Sequence, residues 1–238
     1  MIRGYSIPNC QRLATCLIGL LVTAAPQLLH ARSKPDPKQP RVRIVCVASL
    51  KEDQKVVLAT RDKDGNWDEL STCQLRSPFI SDWLPARAGE IHIALREADS
   101  LRSIGHFTYP DATRSLLAVL VPDHGKTGYM VDAIDPGNLH FTKGSTLLLN
   151  YSSLPAAVSL GHLKTVVKPG ARSVVKAAPE SNGMYRMLVA YSDSKRQLVP
   201  CYDRYVPCDQ DTRQLLLLLP DATLGLRVFS LSEFGPFN

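Results

Sequence analysis

The sequence predicts an all-β protein: two tandem antiparallel β-sandwich domains related by internal duplication and preceded by a signal peptide. Three observations lead there. Short β-branched runs alternate with turn residues, and no stretch after the leader repeats apolar residues with a helical period. The third is that one ordered set of motifs occurs twice, at offsets between 96 and 104 residues.

The chain has 238 residues and a 45% hydrophobic content, enough for a packed core and inconsistent with a disordered or fibrous chain. Its start must be set aside first. Arg3 and Arg12 precede the apolar run Leu13 to Ala25, and no acidic residue occurs before Asp36. A cationic start followed by a short apolar run is the pattern of a secretory signal peptide, here residues 1–31 with cleavage after Ala31. The run falls short of the ~20 apolar residues that span a bilayer, so no stable membrane span is expected after cleavage. Residues 32–41, rich in proline and charge, read as a tether. The predicted location is periplasmic, cell-surface or secreted.

Cleavage removes two of the 28 basic residues and none of the 22 acidic ones, so the mature charge is 26 − 22 = +4. That charge is small and scattered, which excludes a nucleic-acid footprint. An aromatic content of 7% argues against an outer-membrane barrel.

The first domain, 42–137, opens with the β-type run Val42 to Ser49. Val56 to Thr60 follows, and Asp64-Gly65 then turns the chain towards Trp67, because both positions tolerate positive φ. Further strands are expected at Glu90 to Leu95, Ser115 to Val121 and Tyr129 to Ile134. The second domain, 138–238, offers Thr146 to Tyr151, Ala157 to Leu160, Ser173 to Ala177, Arg186 to Tyr191, Arg196 to Tyr202, Gln214 to Leu219 and Leu226 to Leu231. Leu215 to Leu219 has no polar face and is stopped by Pro220. It reads as a doubly buried strand and a candidate for the contact between domains.

The duplication rests on several matches in one order. Thr113-Arg114-Ser115-Leu116-Leu117 is echoed by Thr212-Arg213-Gln214-Leu215-Leu216 at offset 99. Pro122-Asp123 matches Pro220-Asp221 at 98, and Gly128 matches Gly225 at 97. Upstream, Ile93-Ala94-Leu95 matches Val189-Ala190-Tyr191 at 96, and Val47 to Leu50 faces Tyr151 to Leu154. Units of about 100 residues with short strands have the size and spacing of immunoglobulin-like sandwiches.

Four cysteines remain after cleavage, and an even number in an exported chain suggests disulfides. The pairing Cys46–Cys73 with Cys201–Cys208 keeps each bridge within one domain. A bridge between Cys201 and Cys208 would rigidify a loop carrying Tyr202, Arg204 and Tyr205, residue types favoured at recognition hot spots. Trp67 is a further candidate platform for a ligand. Asp62 to Asp68 is similar to a calcium loop, but its end positions would be Thr60 and Ser71, so it reads as a turn. Gly125-Lys126-Thr127 is likewise a turn rather than a phosphate loop. The histidines form neither His-x-His nor His-Glu-x-x-His, so no metal ligand, cofactor or catalytic residue is expected from local spacing.

Phe141-Thr142-Lys143-Gly144-Ser145, Leu149-Asn150-Tyr151-Ser152 and Val167-Lys168-Pro169-Gly170 resemble segments of uncharacterised exported bacterial proteins with a repeated β-sandwich. That resemblance implies no activity. The overall plan is also similar to periplasmic pilus chaperones, whose asparagine- and tryptophan-bearing strand signature is not found here. The functional expectation is a non-catalytic exported interaction or scaffold module that binds an envelope or extracellular protein, a peptide or a glycan. The alternatives are an exported hydrolase with dispersed catalytic residues and a chaperone-like binder of peptide strands.

Overall fold

The computed structural model describes residues 39–47, 55–75, 77–123, 128–178, 183–193, 195 and 197–235. The signal segment 1–31, most of the tether and the turn Gly125-Lys126-Thr127 lie outside the described residues. Every regular element among the described residues is a strand, so the described part of the chain is all-β. The first half holds β1 (Arg41–Cys46), β2 (Lys55–Arg61), β3 (Trp67–Gln74), β4 (Phe79–Ile80), β5 (Leu84–Pro85), β6 (Gly89–Glu97), β7 (Ser100–Tyr109), β8 (Ser115–Pro122) and β9 (Tyr129–Ile134). The second half holds β10 (Thr146–Asn150), β11 (Ala156–Leu160), β12 (Leu163–Val167), β13 (Arg172–Val175), β14 (Met184–Ser192), β15 (Leu198–Pro207), β16 (Arg213–Asp221) and β17 (Gly225–Glu233).

These strands form four sheets, two in each half. The first half has an outer sheet, β3-β2-β6-β7, and an inner sheet, β4-β1-β8-β9, with β5 also paired to β1. The second half has an inner sheet, β13-β10-β16-β17, and an outer one, β12-β11-β14-β15. The sheets are not purely antiparallel, as the sequence had suggested: β1 runs parallel to β8, and β10 parallel to β16. Nor does the strand order follow the immunoglobulin plan, which keeps the first two strands in one sheet; here β1 and β2 lie in different sheets.

The core explains both departures. Val42, Ile44, Cys46, Leu116, Ala118 and Leu120 point from the first inner sheet towards Val56, Leu58, Ile91 and Ile93 of its outer sheet. Their neighbours Val45, Leu117, Val119 and Val121 point the other way and pack on Leu147, Leu149, Leu215, Leu217 and Leu219. Leu148, Leu216 and Leu218 in turn face Val158, Leu160, Met187 and Val189 of the last sheet. The order of layers is therefore outer, inner, inner, outer. Strands β1, β8, β10 and β16 are covered on both faces, the setting in which parallel pairing and unbroken apolar runs belong. The expected contact through Leu215 to Leu219 is present, and the two halves share one core.

The halves follow the same plan, the short strands β4 and β5 standing where the second half has β13, with one correction to the sequence alignment. Leu117 pairs with Arg43, and Leu215 with Leu147. Leu117 and Leu215 both face the shared core, so they are counterparts at offset 98. The 99-residue match of Leu116 with Leu215 is out by one, and a one-residue slip turns every side chain to the opposite face. The matches at offsets 96, 97 and 98 stand, whereas Ala48 to Leu50 of the remaining one lie outside the described residues, and the bulges are especially telling. The β6–β7 ladder slips between Ile93 and Ala94, and the β14–β15 ladder between Val189 and Ala190. These positions are 96 residues apart, as the motifs required. The bulge also hides β7 from sequence reading: its inward residues Ile104, Phe107 and Tyr109 depart from strict alternation at the extra residue, Ile104.

Arg41, assigned to the tether, belongs to β1 and is buried. Its backbone N–H donates to the Tyr109 hydroxyl and its carbonyl accepts from it, both at 3.1 Å. Burial is the largest influence lowering the pKa of its guanidinium, which lies 4.5 Å from the centre of the Trp83 ring.

Two polar clamps join the halves beside the shared leucine core. Arg43 donates to Glu233 Oε1 at 2.8 Å, and Arg213 reaches Glu233 Oε2 at 2.6 Å, with the Glu233 side chain fully buried. Elsewhere, Tyr151 donates to Asp132 Oδ2 at 2.7 Å, and Arg172 pairs with Asp132 Oδ1. Removing the acidic partner of the first clamp leaves two guanidiniums uncompensated in the interior. Glu233→Ala should therefore lower unfolding stability by about 3–5 kcal/mol in a denaturant titration. Glu69→Ala, which breaks an exposed pair with Arg96, should cost no more than about 1 kcal/mol. Equal costs would show that the buried triad is not the special contact.

Candidate functional site

The segment read as a disulfide-closed loop is instead most of an extended strand, β15. Seven residues of strand place Cys201 and Cys208 roughly 23 Å apart, whereas bridged cysteines need Cα atoms about 5.5 Å apart. Their sulfurs accordingly have separate neighbours: Cys201 Sγ lies 3.4 Å from the Val189 carbonyl, and Cys208 Sγ 3.8 Å from that of Ala177. The strand also separates the recognition candidates. Tyr202 sits opposite Val189 and packs against the core, while Tyr205, opposite Arg186, is 60% exposed. Arg204 is exposed one position away. Cys46 and Cys73, by contrast, pack around the same core. Burial pushes the Cys73 thiol up to about 12, and Asp82 and Cys46 add to the shift.

Trp67 lies in the first outer sheet, away from β15, and the structure surrounds it with groups that local spacing did not flag. On the outer face of that sheet Trp67 covers Val57, Ala59, Ala94 and Leu101. The Arg61 guanidinium stacks 4.2 Å from its ring centre, and the His92 ring meets it edge-on at 5.2 Å. Glu90 and His92 share a face of β6 by the two-residue period, and His106 of β7 sits directly opposite His92. Glu90 Oε1 is 3.5 Å from His92 Nε2 and 4.0 Å from His106 Nε2. One donor atom from each of the three lies within 4.8 Å of the others.

A hydrogen-bond chain orients the inner histidine. The Ser103 hydroxyl lies 3.1 Å from His92 Nδ1 and 3.2 Å from the Gly105 carbonyl, and the other ring nitrogen, Nε2, faces Glu90. Burial is the largest influence lowering the pKa of His92, which favours the neutral ring; Glu90 opposes that shift. The β7 bulge puts Ser103 on this face, opposite Ala94. It also needs Gly105, because a Cβ there would lie 2.6 Å from Val131 Cγ2 and 2.9 Å from the Tyr129 carbonyl. The signal available in the sequence was Glu90-x-His92 on a strand. His106 could be added only once its strand and register were known.

Other candidates are taken up by local structure. Asp62 accepts from the Asp64 and Asn66 backbone N–H groups at 2.9 and 2.8 Å, closing the β2–β3 turn that the sequence predicted. Those bonds, with the Asn66 side chain, hold its carboxyl below the usual range. A groove of about 640 Å³ near the junction of the halves is lined by Thr113, Arg114, Asp135, His140, Lys143 and Arg213. There Asp135 is occupied by Thr113 and by the Gly137 N–H, and Arg213 by Glu233.

No protein-family model matches the chain, and no curated protein matches it. Among solved structures, a leucine-rich repeat protein from Bacteroides thetaiotaomicron aligns at 14% identity with a TM-score of 0.25. The alignment covers 76% of this chain and only 26% of that one. A likeness at that level leaves the architecture to be argued from the strands themselves. Among the described residues no helix is long and apolar enough to cross a membrane.

The course of β15 makes a direct prediction. Non-reducing peptide mapping of the folded protein should recover no fragment in which Cys201 is joined to Cys208. Such a fragment would require β15 to be refolded into a loop.

Proposed function

We propose that the protein is an exported, non-catalytic interaction module, built by doubling a two-sheet sandwich, that binds an extended segment of a partner envelope or extracellular protein along β15. The observation that carries this reading is the character of that strand. It is ten residues long, ends its sheet, and pairs with β14 alone among the described strands. Such an edge offers unpaired N–H and C=O groups to an added strand, the mode called β-augmentation. Leu198 at 64% exposure and Tyr205 at 60% supply apolar contacts that a solvated edge would not need. Arg204 beside Tyr205 adds a residue type favoured at binding hot spots.

Export is supported by the amino-terminal pattern, and a Cys46–Cys73 bridge by their shared core. Amino-terminal sequencing of the protein recovered outside the cytoplasm should begin at Arg32. Recovery of intact Met1 there would refute signal cleavage.

The β15 reading is tested by placing a photo-cross-linking residue at position 205 and, separately, at Leu224 in an exposed turn. Irradiation in the native cell should give a discrete adduct from position 205 and little from 224. In the position-205 protein, Leu198→Lys should reduce the adduct at least tenfold. Equal adducts from both positions, or no effect of Leu198→Lys, would sink the β15 interface.

A further inference from the structure

We propose that Glu90, His92 and His106 form a three-ligand site for a borderline divalent transition-metal ion, zinc(II) or copper(II), on the outer face of the β3-β2-β6-β7 sheet. This goes beyond the β15 interface and does not depend on it.

The geometry points to one ion. In a tetrahedral site with metal–ligand bonds of about 2.0–2.1 Å, donor atoms stand roughly 3.4 Å apart. Two of the separations here are already 3.5 and 4.0 Å, and all three donors lie within 4.8 Å. The remaining closure falls to mobile groups, since the His106 side chain is 66% exposed and that of Glu90 is 59% exposed. His92, with a side chain only 14% exposed, is the fixed member. Its outer partner Ser103, 3.1 Å from Nδ1, anchors the ring with Nε2 towards Glu90, the outer-shell arrangement that orients metal-binding imidazoles.

The donor set decides the class of ion. Two imidazole nitrogens and one carboxylate suit zinc or copper(II), whereas calcium and magnesium prefer shells of oxygen ligands. Three protein ligands leave a coordination position facing solvent, open to water or to a donor from a partner molecule.

The duplicated half provides an internal control. With the β6–β7 and β14–β15 hairpins matched through their bulges, Glu90 corresponds to Arg186, His92 to Leu188, His106 to Asp203 and Ser103 to Pro200. That hairpin is closed at the same place by the Arg186–Asp203 ion pair at 2.5 Å. An opposite-charge pair thus closes both hairpins at this place, and what the first adds is a second imidazole, His92, where the other has Leu188.

Two measurements on the purified signal-cleaved chain test the site, with Cys201 and Cys208 alkylated to remove competing thiolates. Calorimetric titration with zinc(II) should show one site in wild type, weakened at least tenfold by His106→Ala and by Glu90→Gln. His106→Asp, which restores a ligand, should recover binding, and calcium(II) should give no comparable heat. Copper(II) should quench tryptophan emission in wild type, and Trp67→Phe, which leaves only Trp83, should abolish most of that quenching. Circular dichroism should show that His106→Ala keeps the wild-type fold, as its exposure predicts. If it does not, the Glu90→Gln and His106→Asp comparison decides. Zinc affinity unchanged by Glu90→Gln and His106→Ala, or quenching that survives Trp67→Phe, would overturn the assignment.

Discussion

A β-strand covered on both faces cannot alternate apolar and polar residues, because each side chain meets a packed layer whichever way it points. Leu215–Leu219 is the clearest instance, with Leu215, Leu217 and Leu219 in the core between the halves and Leu216 and Leu218 in the core of the second half. Leu117, Val119 and Val121 alternate with Leu116, Ala118 and Leu120 in the same way across β8. The arrangement of four layers depends on these inner strands. Each half, taken alone, would expose an inner sheet face of leucine and valine, and the two faces cover one another.

Apolar packing alone specifies such a face only loosely. The buried pairs around Glu233, with the more exposed contacts of Asp132, add direction, since each set joins one half to the other. Sliding the sheets by a residue would leave a charge unpaired in the interior, a far larger penalty than a displaced methyl group. Symmetry is broken at the same place: the counterpart of Arg43 in the matched pairing is Leu147. With the inner faces committed to structure, the two halves differ in their outer sheets, one carrying a histidine–carboxylate cluster and the other an edge strand with exposed Leu198 and Tyr205.

Some of this was open to reading in advance. The Asp64-Gly65 turn, the unbroken leucine run and the paired Pro-Asp motifs are local patterns, and each corresponds to a local feature of the backbone. β7 and the last part of β15 were missed for a shared reason. Each contains a bulge, whose extra residue resets the two-residue period on which strand recognition relies. Cys201 and Cys208 were paired because they share one half of the chain, and the extended course of β15 between them is a feature that this count cannot reveal. The histidine cluster was hidden because its members come from two strands, and only the His92–His106 register unites them.

What the sequence alone determined was the class of element and the repetition, because period, turn chemistry and apolar content act between near neighbours. The tertiary structure alone decided the parallel pairs, the sharing of one core by both halves, and the meeting of Glu90, His92 and His106. Those depend on which strands lie side by side and which face each presents, and a shift of one residue in register reverses every such face.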